Sequence, residues 1–188
     1  MKVGVLALQG AFKEHIRILN QIGVDTQEVR TKEQLVSVDR LIIPGGESTA
    51  IAKLANDFNL IQPLKDFCKV NPVWGTCAGL IFLAKDVGTT QTTLDLLDVK
   101  VKRNAFGNQL DSFIKDLTFP FLSNPNQPFS ATFIRAPLIE SVTPNVEVLA
   151  KFAEGQIIAV KQGSILATSF HPELSDDFRF HQYFLNIC

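Results

Sequence analysis

The chain has 188 residues, 46% of them hydrophobic, enough for one well-packed core and too few for two ordinary domains. Its 18 basic and 19 acidic residues leave a formal net charge of −1, and no run gathers the Lys and Arg that a nucleic-acid backbone requires. No segment approaches the ~20 apolar residues that span a bilayer. The apolar stretch 3–8 is cut short by Gly10 and by Lys13 with Glu14, so it does not read as a signal peptide. Three cysteines, Cys68, Cys77 and Cys188, show no framework spacing and fit free thiols in a cytoplasmic setting.

Residues 2–8 form a near-continuous apolar run, the pattern of a strand covered on both faces. Phe12, Ile16, Leu19 and Ile22 recur at three- and four-residue spacing, which predicts a helix over 11–22 closed by Gly23. Residues 24–30 and 40–43 read as strands, the second ending in Pro44-Gly45-Gly46. Ser48 or Thr49 can cap a helix through Ile51, Leu54 and Ala55, and a further helix is expected over 62–69. Residues 73–75 are a buried strand, after which 76–79 turn into a helix through 80–84. Alternating strand and helix implies a parallel α/β sheet.

The second half is strand-rich, at 131–134, 146–153, 156–161 and 164–170, with a hairpin turn at Glu154-Gly155. Residues 119–129 hold Pro120, Pro125 and Pro128 and read as a surface loop. A last helix over about 175–186 would bury Phe178, Tyr183 and Phe184. The expected architecture is a single α/β domain over 1–188, a mixed sheet flanked by helices.

The strongest local signal is Gly75-Thr76-Cys77-Ala78-Gly79. Small residues around a nucleophile let a strand turn sharply into a helix, exposing the nucleophile at the helix N-terminus, where thiolate is favoured over thiol. The plain alternative is a small buried hydrophobe. A nucleophilic cysteine needs a base, and His171 follows an apolar strand far downstream, so both groups belong at carboxyl ends of parallel strands. Glu173 can accept the other imidazole N–H and fix the tautomer, while a turn histidine without function is the competing reading. His15 and His181 lie on predicted helices without that pattern and read as structural. In Pro44-Gly45-Gly46-Glu47-Ser48-Thr49 two glycines after a strand permit close approach of a ligand, and the following helix offers free N–H groups; an ordinary turn would look the same. The Gly-Lys-Ser/Thr ending of a phosphate-binding loop is absent, and three scattered histidines lack metal-ligand spacing, so neither a metal nor another cofactor is expected.

Together these pieces resemble the class I, triad-type glutamine amidotransferases. More narrowly, the chain is similar to the glutaminase subunits of pyridoxal 5′-phosphate synthases. The likeness rests on Leu8-Gln9-Gly10-Ala11 with Glu14-His15, the 44–49 and 75–79 motifs, Arg103-Asn104-Ala105-Phe106-Gly107, Phe133-Ile134-Arg135-Ala136-Pro137 and Phe170-His171-Pro172-Glu173-Leu174. Asn108 departs from it, standing where an arginine is expected. Residues between Ala84 and Val99 carry few family marks and receive no role.

The resemblance implies a flavodoxin-like three-layer fold with a mixed, mostly parallel sheet. It implies Cys77 as nucleophile, His171 as acid and base, and Glu173 as its orienter. It implies glutamine contacts from Gly46, Glu47, Ser48, Arg103, Ile134 and Arg135, and an oxyanion hole from the backbone of Gly46 and Ala78. The reaction would pass through a γ-glutamyl thioester and release glutamate and ammonia. The implied partner is a (β/α)8-barrel synthase subunit that takes up the ammonia, with Gln9 and Gly10 rearranging as it docks. Other readings are a glutaminase of another pathway, such as imidazole glycerol phosphate synthesis, a cysteine peptidase or thiol hydrolase on the same elbow, or a regulatory binding module.

Overall fold

The computed structural model describes residues 1–103 and 112–188. Ten strands form one sheet in the order β2 (Asp25–Val29), β1 (Lys2–Leu6), β3 (Arg40–Ile43), β4 (Val73–Thr76), β12 (Ile165–Thr168), β11 (Ile157–Gln162), β9 (Leu138–Val142), β6 (Leu97–Lys102) and β5 (Ala84–Asp86), with β10 (Glu147–Lys151) paired to β11. Every pairing from β2 to β12 is parallel. Beyond β12 the strands meet antiparallel until the parallel β5–β6 edge. A separate antiparallel hairpin joins β7 (Ser112–Leu117) to β8 (Phe129–Ile134). The mixed α/β sheet expected from the sequence is present.

The helices are α1 (Phe12–Gln21), α2 (Lys32–Leu35), α3 (Ser48–Asp57), α4 (Ile61–Cys68), α5 (Ala78–Leu83) and α6 (Arg179–Leu185). Side chains alternate across each central strand, so the sheet feeds two apolar layers. Leu41, Ile43, Val73, Ile165 and Ala167 face one layer with Ile51, Leu64 and Leu80 from α3, α4 and α5. Val3, Val5, Ile42, Trp74 and Leu166 face the other with Leu19 of α1 and Phe180 and Phe184 of α6. Among the described residues no helix is long and apolar enough to cross a membrane.

Three local expectations need correction. The cap of α3 is Glu47, not Ser48 or Thr49, because its longer carboxylate reaches the backbone N–H groups of Thr49 and Ala50. Residues 119–129 are not simply a surface loop: Phe119 and Leu122 are buried, and Phe129 opens β8. Three prolines and several amides prevent regular structure there, yet the apolar rings still gain from leaving water. The last helix starts at Arg179, after a 3-10 turn over Pro172–Leu174. The Asp177 carboxylate accepts from the backbone N–H of Arg179 and from its guanidinium, which leaves Phe178 outside the helix and 39% exposed.

Phe180 joins these parts. Its ring centroid lies 4.8 Å from Phe119, 4.9 Å from Phe129 and 5.2 Å from Phe170, all edge-on. Phe180→Ala should therefore cost about 3–5 kcal/mol of unfolding free energy, read by urea denaturation. A loss under about 1 kcal/mol would contradict a tightly packed ring at this position.

Candidate active site

β4 lies between β3 and β12, and the chain leaves it through Cys77 at φ 47° and ψ −101° before α5 begins. The Cys77 N–H donates to the carbonyl of Thr168 at 2.8 Å, which anchors the turn to the end of β12. A Cβ on Gly79 would strike the Ile43 carbonyl, so glycine lets α5 approach the neighbouring strand this closely. The Cys77 sulfur is almost buried and lies 3.8 Å from the carbonyl oxygen of Ile134, at the end of β8.

His171 stands just past β12, and its N–H donates to the Thr132 carbonyl of β8 at 2.8 Å. Two elements therefore fix its backbone. Its Nδ1 is 2.7 Å from Glu173 Oε1, and Glu173 is fully buried. Burial works against a charged imidazole here. The hydrogen bonds and charges of Cys77 and Glu173 outweigh it and push the His171 pKa up to about 10. Cys77, His171 and Glu173 thus meet at one end of the parallel strands.

The Gly45-Gly46 loop closes the other wall. A Cβ on Gly45 would hit the His171 ring and crowd the Cys77 side chain. The loop is tied to the N-terminal segment, since Ala11 N–H donates to Gly45 O at 2.9 Å and Glu47 N–H to Gln9 Oε1 at 2.7 Å. A cavity of about 360 Å³ opens over the sulfur, within the range of small-ligand sites. Gly46, Glu47, Ser48, Arg103, Ile134 and Arg135 all line it, as do Gln9, Gly10, Cys77, Ala78 and His171.

Within this cavity the Arg103 guanidinium is already held. Nη1 donates to Gln91 Oε1 at 2.8 Å and Nη2 to Glu47 Oε1 at 3.3 Å. Ser48 Oγ donates to the same Gln91 oxygen at 3.3 Å. Burial tends to raise the Glu47 carboxyl pKa, but hydrogen bonds from Thr49 and Ala50 and the Arg103 charge hold it below the usual range. Arg135 is exposed, with a left-handed backbone at φ 42°.

Sequence reasoning missed two neighbours of the site. Gln91 sits in the stretch given no role, where a lone amide among threonines carries no signal. His15, which its sequence context marks as structural, is indeed buried, and its Nε2 lies 3.4 Å from Glu173 Oε2. Residues 104–107 of the arginine motif and the Asn108 departure lie outside the described residues.

This fold, with a cysteine elbow facing a His–Glu pair across a glycine loop, defines a glutamine amidotransferase, and the chain belongs to the SNO glutamine amidotransferase family, which matches residues 5–188. Among its curated relatives is a pyridoxal 5′-phosphate synthase subunit PdxT of Dehalococcoides mccartyi, 52% identical over 100% of this chain and 97% of that protein. A protein of the same name from Herpetosiphon aurantiacus is 52% identical over the whole length of both. A solved glutamine amidotransferase structure superposes with a TM-score of 0.92 at 44% identity, covering 98% of this chain and 97% of that one.

The raised His171 pKa has a sign that can be checked. Its folded value lies above the ordinary 6.5, so protonation favours the folded chain. That contribution is whole below about pH 6.5 and is lost as pH rises through about 10. The stability advantage of the wild type over His171→Gln, from urea unfolding, should shrink between those limits. An advantage that grows with pH would contradict the assignment.

Proposed function

We propose that this chain is the glutaminase subunit of a pyridoxal 5′-phosphate synthase, hydrolysing L-glutamine to L-glutamate and ammonia. The observation that carries the reading is the Cys77–His171–Glu173 line, with its 2.7 Å His–Glu contact, beneath a cavity sized for one amino acid. Full-length identity near 50% to proteins named as PdxT subunits supports the pathway.

In this reading the Cys77 thiolate attacks the side-chain amide carbon of glutamine. The oxyanion is held by the backbone N–H of Ala78, at the start of α5, and that of Gly46. The C–N bond breaks as His171 gives its proton to the departing nitrogen, which leaves a γ-glutamyl thioester. Neutral His171 then takes a proton from water, the hydroxyl oxygen attacks the thioester, and glutamate leaves as the Cys77 thiolate reforms. Glu173 holds the imidazole in the required tautomer and steadies its charge.

Arg103, held by Gln91 and Glu47, is a fork of donors suited to the α-carboxylate of glutamine, and Arg135 offers a second cation at the rim. Glu47, Ser48 and Ile134 line the same cavity and would receive the α-ammonium and amide groups. Free ammonia would be protonated and lost in bulk water, so a synthase subunit must receive it, and a (β/α)8-barrel is the partner proposed. Gln9, which accepts from the Glu47 N–H, and Gly10, packed close against Gly45 and Gly46, would carry the signal of docking to the oxyanion hole. A cytoplasmic setting would keep the Cys77 thiol reduced.

Glutamate release from glutamine, measured with and without the synthase subunit, tests this. Activity should rise on adding that subunit and fall at least about a thousandfold in Cys77→Ala. Equal turnover with and without it would point to a glutaminase of another pathway, and release of peptides rather than glutamate to a peptidase.

A further inference from the structure

Behind Glu173, on the side away from His171, lies a pair of histidines that the proposed reaction does not use. His15 comes from α1 and His181 from α6, and both are fully buried against Trp74, with ring centroids 5.6 and 5.0 Å from it. His15 Nδ1 is 2.9 Å from His181 Nε2, so one N–H is shared between them. The other nitrogen of His15 faces Thr76 Oγ1 and Glu173 Oε2, each at 3.4 Å. Glu173 Oε2 and His181 Nδ1 are buried and have no hydrogen-bond partner within ordinary limits.

Burial holds both rings neutral. It lowers His15 well below the usual histidine range, helped by the charges of His181 and His171, and it lowers His181 to about 3. Two neutral imidazoles sharing one N–H leave two arrangements. If His15 donates from Nδ1, its bare Nε2 lone pair can accept from the Thr76 hydroxyl but also confronts a carboxylate oxygen, and His181 must carry a buried Nδ1–H with no acceptor. If His181 donates from Nε2, His15 carries Nε2–H between Thr76 Oγ1, its hydrogen-bond partner, and the nearby Glu173 Oε2, and an uncharged lone pair on His181 stays unpaired. An unmet donor beside an unmet carboxylate costs far more than one unmet lone pair. The second arrangement wins.

We infer that His15, in the Nε2–H tautomer set by His181, is a positioning residue that holds the far oxygen of Glu173 so that the near oxygen stays on His171. The titratable groups facing His15 are His181 from α6 and Glu173 from the 3-10 turn, with His171 beyond Glu173. The 3.4 Å separation is longer than a strong charge-assisted bond, so the contact steers the carboxylate rather than neutralising it. Holding an orienter in place changes turnover more than substrate affinity.

This inference rests on the glutaminase reading, and two measurements separate the failure of one from the failure of the other. The 15N spectrum of histidine-labelled chain reads the His15 tautomer without any assay. A neutral ring protonated on Nε2 is expected, and protonation on Nδ1 would overturn the inference. In the complex with the synthase subunit, His15→Leu should lower kcat about tenfold while KM for glutamine moves less than about twofold. His15→Gln, whose amide N–H reaches the Nε2 position, should recover most of that loss. Wild-type kcat in His15→Leu, or no recovery in His15→Gln, would contradict a positioning role. If His15→Leu does not fold, His15→Asn serves instead: its shorter amide reaches the Nδ1 position beside His181 but not the Nε2 position beside Glu173, so kcat should again fall about tenfold, and wild-type kcat there would count against the inference. A wild-type complex that releases no glutamate would sink the glutaminase reading, while the tautomer spectrum still decides the role of His15.

Discussion

Cys77 sits at φ 47° and ψ −101°, a backbone state that costs a residue with a Cβ on the order of 1–3 kcal/mol. Three constraints hold it there. β3 and β12 clamp β4 on both edges, Thr168 O takes the Cys77 N–H, and Gly79 lets α5 press against the end of β3. The turn aims the sulfur out of the sheet and towards His171, the Ile134 carbonyl and the Gly45-Gly46 loop. Relaxing it would swing the sulfur away from all three, so the geometry of the site is inherited from the stability of the parallel half of the sheet.

The antiparallel half serves a different end. β8 brings Ile134 and Arg135 to one wall of the cavity and takes the His171 N–H at Thr132. The aromatic layer of Phe119, Phe129, Phe170 and Phe180 packs this hairpin against α6. Trp74, stacked on Phe180 of this layer, covers His15 and His181 behind Glu173. Low polarity there strengthens each hydrogen bond and makes each missing one costly, which is why the tautomers of the histidines matter. The line from Cys77 through His171 to Glu173 therefore runs from the cavity into the core rather than along the surface.

Much of this is legible in the sequence. The apolar runs and glycine stops of the first half are strong periodic signals, and β3 was read to its bounds. The elbow around Cys77 and the His171-Pro172-Glu173 turn stood out because their chemistry needs small residues and a carboxylate at fixed spacing. Other features depend on partners distant in sequence. Composition marked residues 119–129 as loop, and only packing against α6 reveals why its rings are buried. Gln91 acquires meaning through Arg103 and Ser48, and His15 through Glu173, which no local pattern announces.

Whether Cys77 forms a covalent bond to the glutaminyl group is the question on which the account turns. It can be answered by mixing the chain and its synthase subunit with glutamine, quenching in acid during turnover, and mapping peptide masses. A γ-glutamyl adduct is expected on the peptide bearing Cys77, absent when Cys77→Ala is used. Steady glutamate release with no adduct on that peptide, or with the adduct on Cys68 or Cys188, would contradict it.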